Sequence, residues 1–244
     1  MSGQATDSEE APASSFSLEP DADHLAALGE FAAGAGHEIN NPLATIVGRV
    51  QQLLRDEVDP ARRQALLTIG AQAYRVRDMI GDVMLFARPP VPQPERCRLD
   101  DLLENVIQQW SGAPNWPGVT LSAGPTAGIT LLVDPVQFAV ALHELLRNAA
   151  EAILPGGGEI RIETTVESNQ ARIAVLDAGR GFSDVERRHA FDPFYSGRQA
   201  GRGLGFGLCK VWRILTAHGG RIAIESAPGG PTTVATWWPV AGRP

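Results

Sequence analysis

The segment that decides the fold runs from Ala22 to Asp56 and reads ADHLAALGEFAAGAGHEINNPLATIVGRVQQLLRD. Its apolar residues recur at steps of three and four, a period close to 3.5 that predicts a helix packed in a bundle or coiled coil. At 1.5 Å per residue, this helix would be roughly 50 Å long. The apolar seam consists of Leu25, Leu28, Ala32, Ala35, Ile39, Leu43, Ile46, Val50 and Leu53.

A second helix with the same period follows a break at Asp56–Pro60. The short connection predicts an antiparallel hairpin. Two helices of this length cannot bury both apolar seams on each other alone, so the hairpin is predicted to pair with a second copy as a dimeric four-helix bundle. The second seam consists of Leu66, Ile69, Ala73, Val76, Ile80, Val83 and Ala87.

The rest of the chain predicts a different architecture. Four prolines in Arg88–Pro94 favour an extended linker. Beyond it, short strand patterns alternate with helical ones, which predicts an α+β protein in which helices cover one face of a mixed sheet. We therefore predict four regions: a disordered acidic leader (1–21), the helical hairpin (22–88), a Pro-rich linker (89–98) and an α/β sandwich (99–244).

The composition narrows the function. The formal net charge of −7 argues against a nucleic-acid surface as the main function. The sequence contains no run of 18 apolar residues, so it predicts no membrane-spanning helix. Two distant cysteines, Cys97 and Cys209, make no disulfide framework and predict a cytoplasmic protein. Lys210 is the only lysine among the 21 basic residues.

The first chemical motif is Gly36-His37-Glu38-Ile39-Asn40-Asn41-Pro42 on the first helix. His37 lies off the apolar seam, where a neutral imidazole is an available nucleophile. Glu38 could take a proton from the ring, and Asn41 lies one turn further on the same face, where its amide could orient a water. The alternative is a surface histidine on a bundle helix. A zinc pair is disfavoured because the second His position holds Asn41.

Three further motifs lie in the α/β region. Glu144 and Asn148 are four residues apart on one helix, and their oxygens suit a hydrated Mg²⁺, although a plain polar helix face fits equally. Asp177–Gly181 follows a strand, where the carboxylate could accept a donor from a buried planar ligand, or the segment is only a turn. Gly201–Leu208 carries four alternating glycines whose amides could approach phosphates.

In this order the motifs resemble those of the transmitter module of bacterial two-component sensor histidine kinases, of the soluble nitrogen-regulatory type. The resemblance covers about residues 22–240. The matching segments are the H-box (His37–Leu43), the N-box (Glu144–Ala152), the first glycine box (Asp177–Gly181), the F-box (Phe191–Arg198) and the second glycine box (Gly201–Leu208).

The resemblance implies a role for each matching position. His37 would be the phosphoacceptor, Glu38 its general base, and Asn41 the support for a reverse phosphatase reaction. Asn148, with Glu144, would hold Mg²⁺, and Asp177 would bind the adenine amino group of ATP. The remaining implied nucleotide-binding residues are Arg147, Gly179, Gly181, Arg198, which would contact the γ-phosphate, and Gly201, Gly203, Gly205, Gly207 and Leu208 in the lid.

The resemblance also implies the fold, the partners and the reaction: a dimeric bundle followed by an ATP-binding sandwich of the histidine kinase and chaperone ATPase type. It implies autophosphorylation of His37 and transfer to an Asp of a response regulator, with input from a separate sensor protein, the bundle itself or a region outside this sequence. One departure is Glu144, where many members have Asn. It leaves open an ATPase in which Glu144 activates water, and a non-catalytic dimeric adaptor is the third possibility.

Overall fold

The structure, a computed structural model, describes residues 22–87, 89–111, 116–153, 156–195 and 205–242, apart from the side chains of 22–29, 31–33, 37 and 87. The helices are α1 (Ala22–Asp56), α2 (Pro60–Ala87), α3 (Leu99–Ser111), α4 (Pro135–Ile153), α5 (Asp184–Arg188) and α6 (Gly207–Ala217). The strands are β1 (Glu95–Arg98), β2 (Val119–Ala123), β3 (Thr130–Val133), β4 (Gly158–Glu167), β5 (Gln170–Asp177), β6 (Arg221–Ser226) and β7 (Thr232–Pro239).

Helices α1 and α2 form the predicted antiparallel hairpin. The turn ends at Asp59, whose Oδ1 accepts the backbone N–H of Arg62 at 2.8 Å, and Pro60 begins α2 where no backbone donor is needed. Helix α1 continues through Pro42. The helices approach closely at Gly36, where a Cβ atom would lie 2.6 Å from the Met84 sulfur, so the absence of a side chain permits this packing.

One hairpin buries only part of its two apolar seams. Leu43, Val50 and Ala73 are buried between the helices, whereas Ile46 and Leu53 remain 42% and 59% exposed. Ile69 and Val76 on α2 are also exposed. An apolar stripe is therefore left uncovered along the hairpin.

The second domain is the predicted layer of helices on a mixed sheet. The five-stranded sheet has the order β2-β4-β5-β7-β6, in which β2 and β4 are parallel and the other pairs antiparallel. One face packs against α3, α4 and α6 and forms the main core, with Ile160, Ile162, Ile173 and Leu146 almost fully buried.

The Pro-rich segment differs from the prediction in extent. Glu95–Arg98 forms β1 and pairs antiparallel with β3, so the linker predicted over 89–98 is shorter by four residues. It is also anchored to α4, because the Gln93 N–H donates to Asp134 Oδ2 and the Gln137 side-chain amide donates to the Pro90 carbonyl, both at 3.0 Å. Among the described helices, none is long and apolar enough to cross a membrane.

Candidate functional site

A cavity of about 680 Å³ lies where α4, the end of β5 and the start of α6 meet α2. This volume lies in the range of small-molecule and cofactor sites. Seven of the residues predicted from the sequence line it together: Arg147, Asn148, Asp177, Gly181, Gly205, Gly207 and Leu208. The fold thus brings three motifs that are far apart in the sequence into one pocket.

Asp177 is the last residue of β5, lines the cavity and is only 6% exposed. Its Oδ1 accepts the backbone N–H of Gly179 at 2.9 Å. Burial raises the pKa of this carboxyl to about 6, and the Gly179 N–H only partly offsets that rise. A buried acid with few partners is suited to accept a hydrogen bond from a ligand that enters the cavity.

The glycines after Asp177 let the chain turn against α4 and the β6–β7 turn. A Cβ at Gly179 would lie 2.7 Å from the Ala152 Cβ of α4. Gly181 has φ +68°, and a Cβ there would overlap the Ala227 carbonyl. The motif therefore holds Asp177 in place through close backbone packing. Gly179 itself lies behind Asp177, outside the residues that line the cavity.

Asn148 lies on α4 beside the start of α6. Its amide nitrogen is buried without a hydrogen-bond partner among the described residues. An amide N–H₂ group is a hydrogen-bond donor, so this nitrogen can donate to an acceptor atom of a group bound in the cavity.

The carboxylate of Glu144 is held by two cations. Its Oε2 pairs with the Arg147 guanidinium and its Oε1 with Lys210 Nζ. Of the two predicted magnesium ligands, Asn148 therefore fits that role better, because both Glu144 oxygens are already engaged by cations.

Lys210 connects the two domains. Its Nζ donates to Asp82 Oδ1 of α2 at 2.7 Å while it pairs with Glu144 of α4. Burial alone would lower the pKa of Lys210, but the charges of Glu144 and Asp82 outweigh it and raise the pKa above its ordinary value. The ammonium group therefore stays charged where the α/β domain meets the hairpin.

The predicted residues of the H-box lie on the hairpin, and neither Glu38 nor Asn41 is among the described residues that line the cavity. His37 is on α1, with its side chain outside the described part. Glu38 and Asn41 are exposed on the same helix. Three other predicted residues, Arg198, Gly201 and Gly203, lie outside the described residues.

Several cavity residues were missed from the sequence. The hairpin contributes Tyr74, Asp78 and Asp82 of α2 to the wall of the cavity, and the α/β domain contributes Tyr195 and Thr232. No motif marks the α2 residues, because their place in the cavity depends on how the domains pack. Lys210 had a signal, since it is the only lysine and interrupts the apolar pattern of α6.

Comparison with known families assigns both parts of the chain. Residues 27–90 match the His Kinase A (phospho-acceptor) domain. Residues 133–242 match the histidine kinase-, DNA gyrase B- and HSP90-like ATPase family. The boundary between the two matches contains the anchored linker, β1 and α3.

The curated relatives include histidine kinases. The chain is 32% identical over 235 residues to the signal transduction histidine-protein kinase AtoS of Escherichia coli strain K12, covering 90% of this chain and 36% of that protein. It is 31% identical over 225 residues to the sensor histidine kinase ZraS of Klebsiella oxytoca, covering 90% and 47%. The chain thus spans between a third and a half of the length of these relatives.

Solved structures share the fold. Full-length ShkA in complex with AMPPNP matches with a TM-score of 0.75 at 21% identity, over 88% of this chain and 46% of ShkA. The histidine kinase ThkA in complex with the response regulator TrrA matches with a TM-score of 0.63 at 22% identity, over 90% and 64%. Both family models match, one on the hairpin and one on the α/β domain, and the curated relatives are histidine kinases. The chain therefore belongs to the bacterial two-component sensor histidine kinases and comprises their transmitter module.

Proposed function

We propose that the protein is an ATP-dependent histidine kinase that phosphorylates its own His37 and passes the phosphoryl group to an Asp of a response regulator. The observation that carries this proposal is the cavity lined by the buried carboxyl of Asp177, by Asn148 beside Gly207 of α6, and by residues of α2. Such a pocket suits a ligand with a planar donor at one end and charged groups at the other. ATP has that layout.

The adenine end is assigned to Asp177. The exocyclic amino group of adenine donates hydrogen bonds, and the buried carboxylate of Asp177, which accepts the Gly179 N–H through Oδ1, is a suitable acceptor. The phosphate end is assigned to Asn148 and to the start of α6, where Gly205 and Gly207 line the cavity. Backbone N–H groups at the start of this helix favour anions.

Magnesium is assigned to the same end, with Asn148 as its protein ligand. The amide oxygen of Asn148 would be the metal ligand, and its unpartnered buried nitrogen could donate to a phosphate oxygen. Mg²⁺ prefers oxygen ligands, keeps several waters, and is usually held by few protein groups together with phosphates. When bound, it would neutralise charge on the transferring phosphoryl group.

The hairpin supplies the acceptor. A ring nitrogen of His37 would attack the γ-phosphorus, the bond to the bridging oxygen of ADP would break, and Glu38 would take the ring proton.

Asn41, one turn further along α1, would orient water when the protein dephosphorylates its partner. Asn41→Ala should then lower the dephosphorylation rate of a phosphorylated receiver domain more than the autophosphorylation rate, whereas a proportional fall in both rates would assign Asn41 a structural role.

The ATPase alternative is weakened by the surroundings of Glu144. The two oxygens of this carboxylate pair with Arg147 and Lys210, so both are engaged by cations and neither is placed to take a proton from water. The adaptor alternative is weakened by the formed cavity. The solved complex of ThkA with a response regulator supports a receiver domain as the partner.

An assay with ATP labelled at the γ-phosphate tests the proposal. The kinase predicts label on the protein that is stable to base and labile to acid, and that is lost when a receiver domain is added. Free phosphate without labelled protein would favour the ATPase, and no nucleotide binding would favour the adaptor.

A further inference from the structure

The contact between the two domains is built around one charged side chain. Lys210 is 5% exposed, and its Nζ lies 2.7 Å from Asp82 Oδ1 on α2 and pairs with Glu144 on α4. An apolar cluster of Phe86, Phe206 and Cys209 also joins α2 to the start of α6. Lys210 is therefore enclosed by residues of both domains.

Two further contacts reach the same end of α2. The Phe86 and Phe206 rings meet edge to face with centroids 6.1 Å apart. The Arg213 Nε–H donates to the Phe86 carbonyl at 2.9 Å. Apolar packing of this kind stabilises the contact between the domains but is not directional, whereas a charged hydrogen bond fixes both the distance and the angle between its partners.

Asp82 lies at the level of the predicted phosphoacceptor. Gly36, the residue before His37, packs against Met84 and Ile80, where a Cβ atom would lie 2.6 Å from the Met84 sulfur and 3.3 Å from Ile80 Cγ2. Asp82 lies between those two residues in α2. The Lys210–Asp82 pair thus attaches the ATP-type domain to the hairpin at the level of His37.

We propose that Lys210 is a positioning residue, which docks the nucleotide site on α2 through Asp82 and sets it at the level of His37. The inference deepens the proposed kinase function and rests on it. The same ammonium group holds Glu144, which is one turn from Asn148 on α4. The pair consequently fixes α4, and with it the phosphate end of the cavity, relative to the hairpin.

The geometry explains why one contact can control the rate. Phosphoryl transfer depends on placing the acceptor in line with the transferring group, and a misplacement of about 1 Å can lower a rate by about a hundredfold. The Asp82 side chain makes its contact from the hairpin and lies 28% exposed at the edge of the interface. Its removal should release the docked arrangement while α4 and Asp177 stay intact.

Asp82→Ala in the full chain is the direct test, because alanine favours the helix and removes only the hairpin side of the pair. We expect the labelling rate at saturating Mg-ATP to fall by about tenfold or more, with the KM for ATP unchanged. Small-angle X-ray scattering without nucleotide should give a larger radius of gyration. Asp101→Ala on the exposed surface of α3 is the matched control and should change neither quantity.

Lys210→Met completes a double-mutant cycle. If Lys210 acts through Asp82, the double variant should label no more slowly than Lys210→Met alone. Additive losses, an unchanged or faster rate in Asp82→Ala, or an unchanged radius of gyration would overturn the inference. A wild-type protein that does not label itself would instead overturn the proposed function, while the scattering comparison would still test the docking contact.

Discussion

The Cα atom of Gly207 lies against the side chain of Asn148, so closely that a methyl group at position 207 would be 3.0 Å from the amide nitrogen. The same methyl group would be 3.3 Å from Glu144 Oε2. The first residue of α6 and the polar face of α4 are thus packed together beside the cavity. The absence of a side chain at Gly207 permits this arrangement.

Gly207→Ala should weaken nucleotide binding without unfolding the protein. The added methyl group would force Asn148 and Glu144 to shift, and overpacking of this kind costs about 1–3 kcal/mol, which corresponds to roughly 5- to 150-fold in affinity if it falls on the bound state. Isothermal titration with Mg-ADP measures the loss. Gly156→Ala is the control, since a Cβ there meets nothing within 4 Å. Equal affinities of the two variants for Mg-ADP would contradict the prediction, because they would show that Asn148 can move aside without weakening nucleotide binding.

Asp177 should make nucleotide affinity depend on pH. Its pKa of about 6 means that the empty protein carries a neutral carboxyl below that pH. The adenine amino group favours the carboxylate, so binding should release a proton, and affinity should fall as the pH drops through 6, by at most about tenfold per pH unit. Above that range the effect should level off.

Titration calorimetry with ADP between pH 5 and 8 measures this dependence. Asp177→Asn is the comparison, because it retains the titration of the nucleotide phosphates and lacks that of the carboxyl. In the empty protein the sign is opposite for folding: the unfolded carboxyl ionises near 3.8 and the folded one near 6, so the contribution of Asp177 to stability declines as pH rises through that interval. Parallel pH curves for both proteins would remove Asp177 from the adenine site.

The uncovered apolar stripe of the hairpin should hold two copies together. Ile46→Glu combined with Leu53→Glu removes two side chains, each worth about 1.5–3 kcal/mol when fully buried, and adds charge to the interface. Sedimentation equilibrium should give a dimer for the wild type and a monomer for the variant. Val58→Glu, at a 91% exposed position in the turn, should remain a dimer. A doubly substituted chain that still dimerises would place the interface elsewhere.

The elements predicted from periodicity are confirmed, because local pattern and burial agree in them. The hairpin seam predicts α1 and α2, and Asp134-Pro135 predicts the start of α4. Asn148 and Asp177 were also placed in a common nucleotide site by their motifs, and both line the cavity.

Features that depend on contacts between distant segments could not be predicted. Strand β1 is four residues long and forms by pairing with β3, with no alternating pattern of its own. Helix α5 is a different case, because its capping box, Ser183 and Glu186, is a local signal in the sequence and was missed. The role of Lys210 depends on Asp82, which lies 128 residues away. A periodicity analysis marks position 210 only as an irregularity.

The central claim is that His37 on the hairpin accepts the phosphoryl group from a nucleotide held in the other domain. The most direct measurement compares wild type and His37→Gln for labelling by γ-labelled ATP and for binding of Mg-ADP, each in one preparation. The account predicts that His37→Gln loses all acid-labile label and keeps the wild-type ADP affinity, because Asn148 and Asp177, which are assigned to the nucleotide, lie in the other domain. Equal labelling of the two proteins would contradict it.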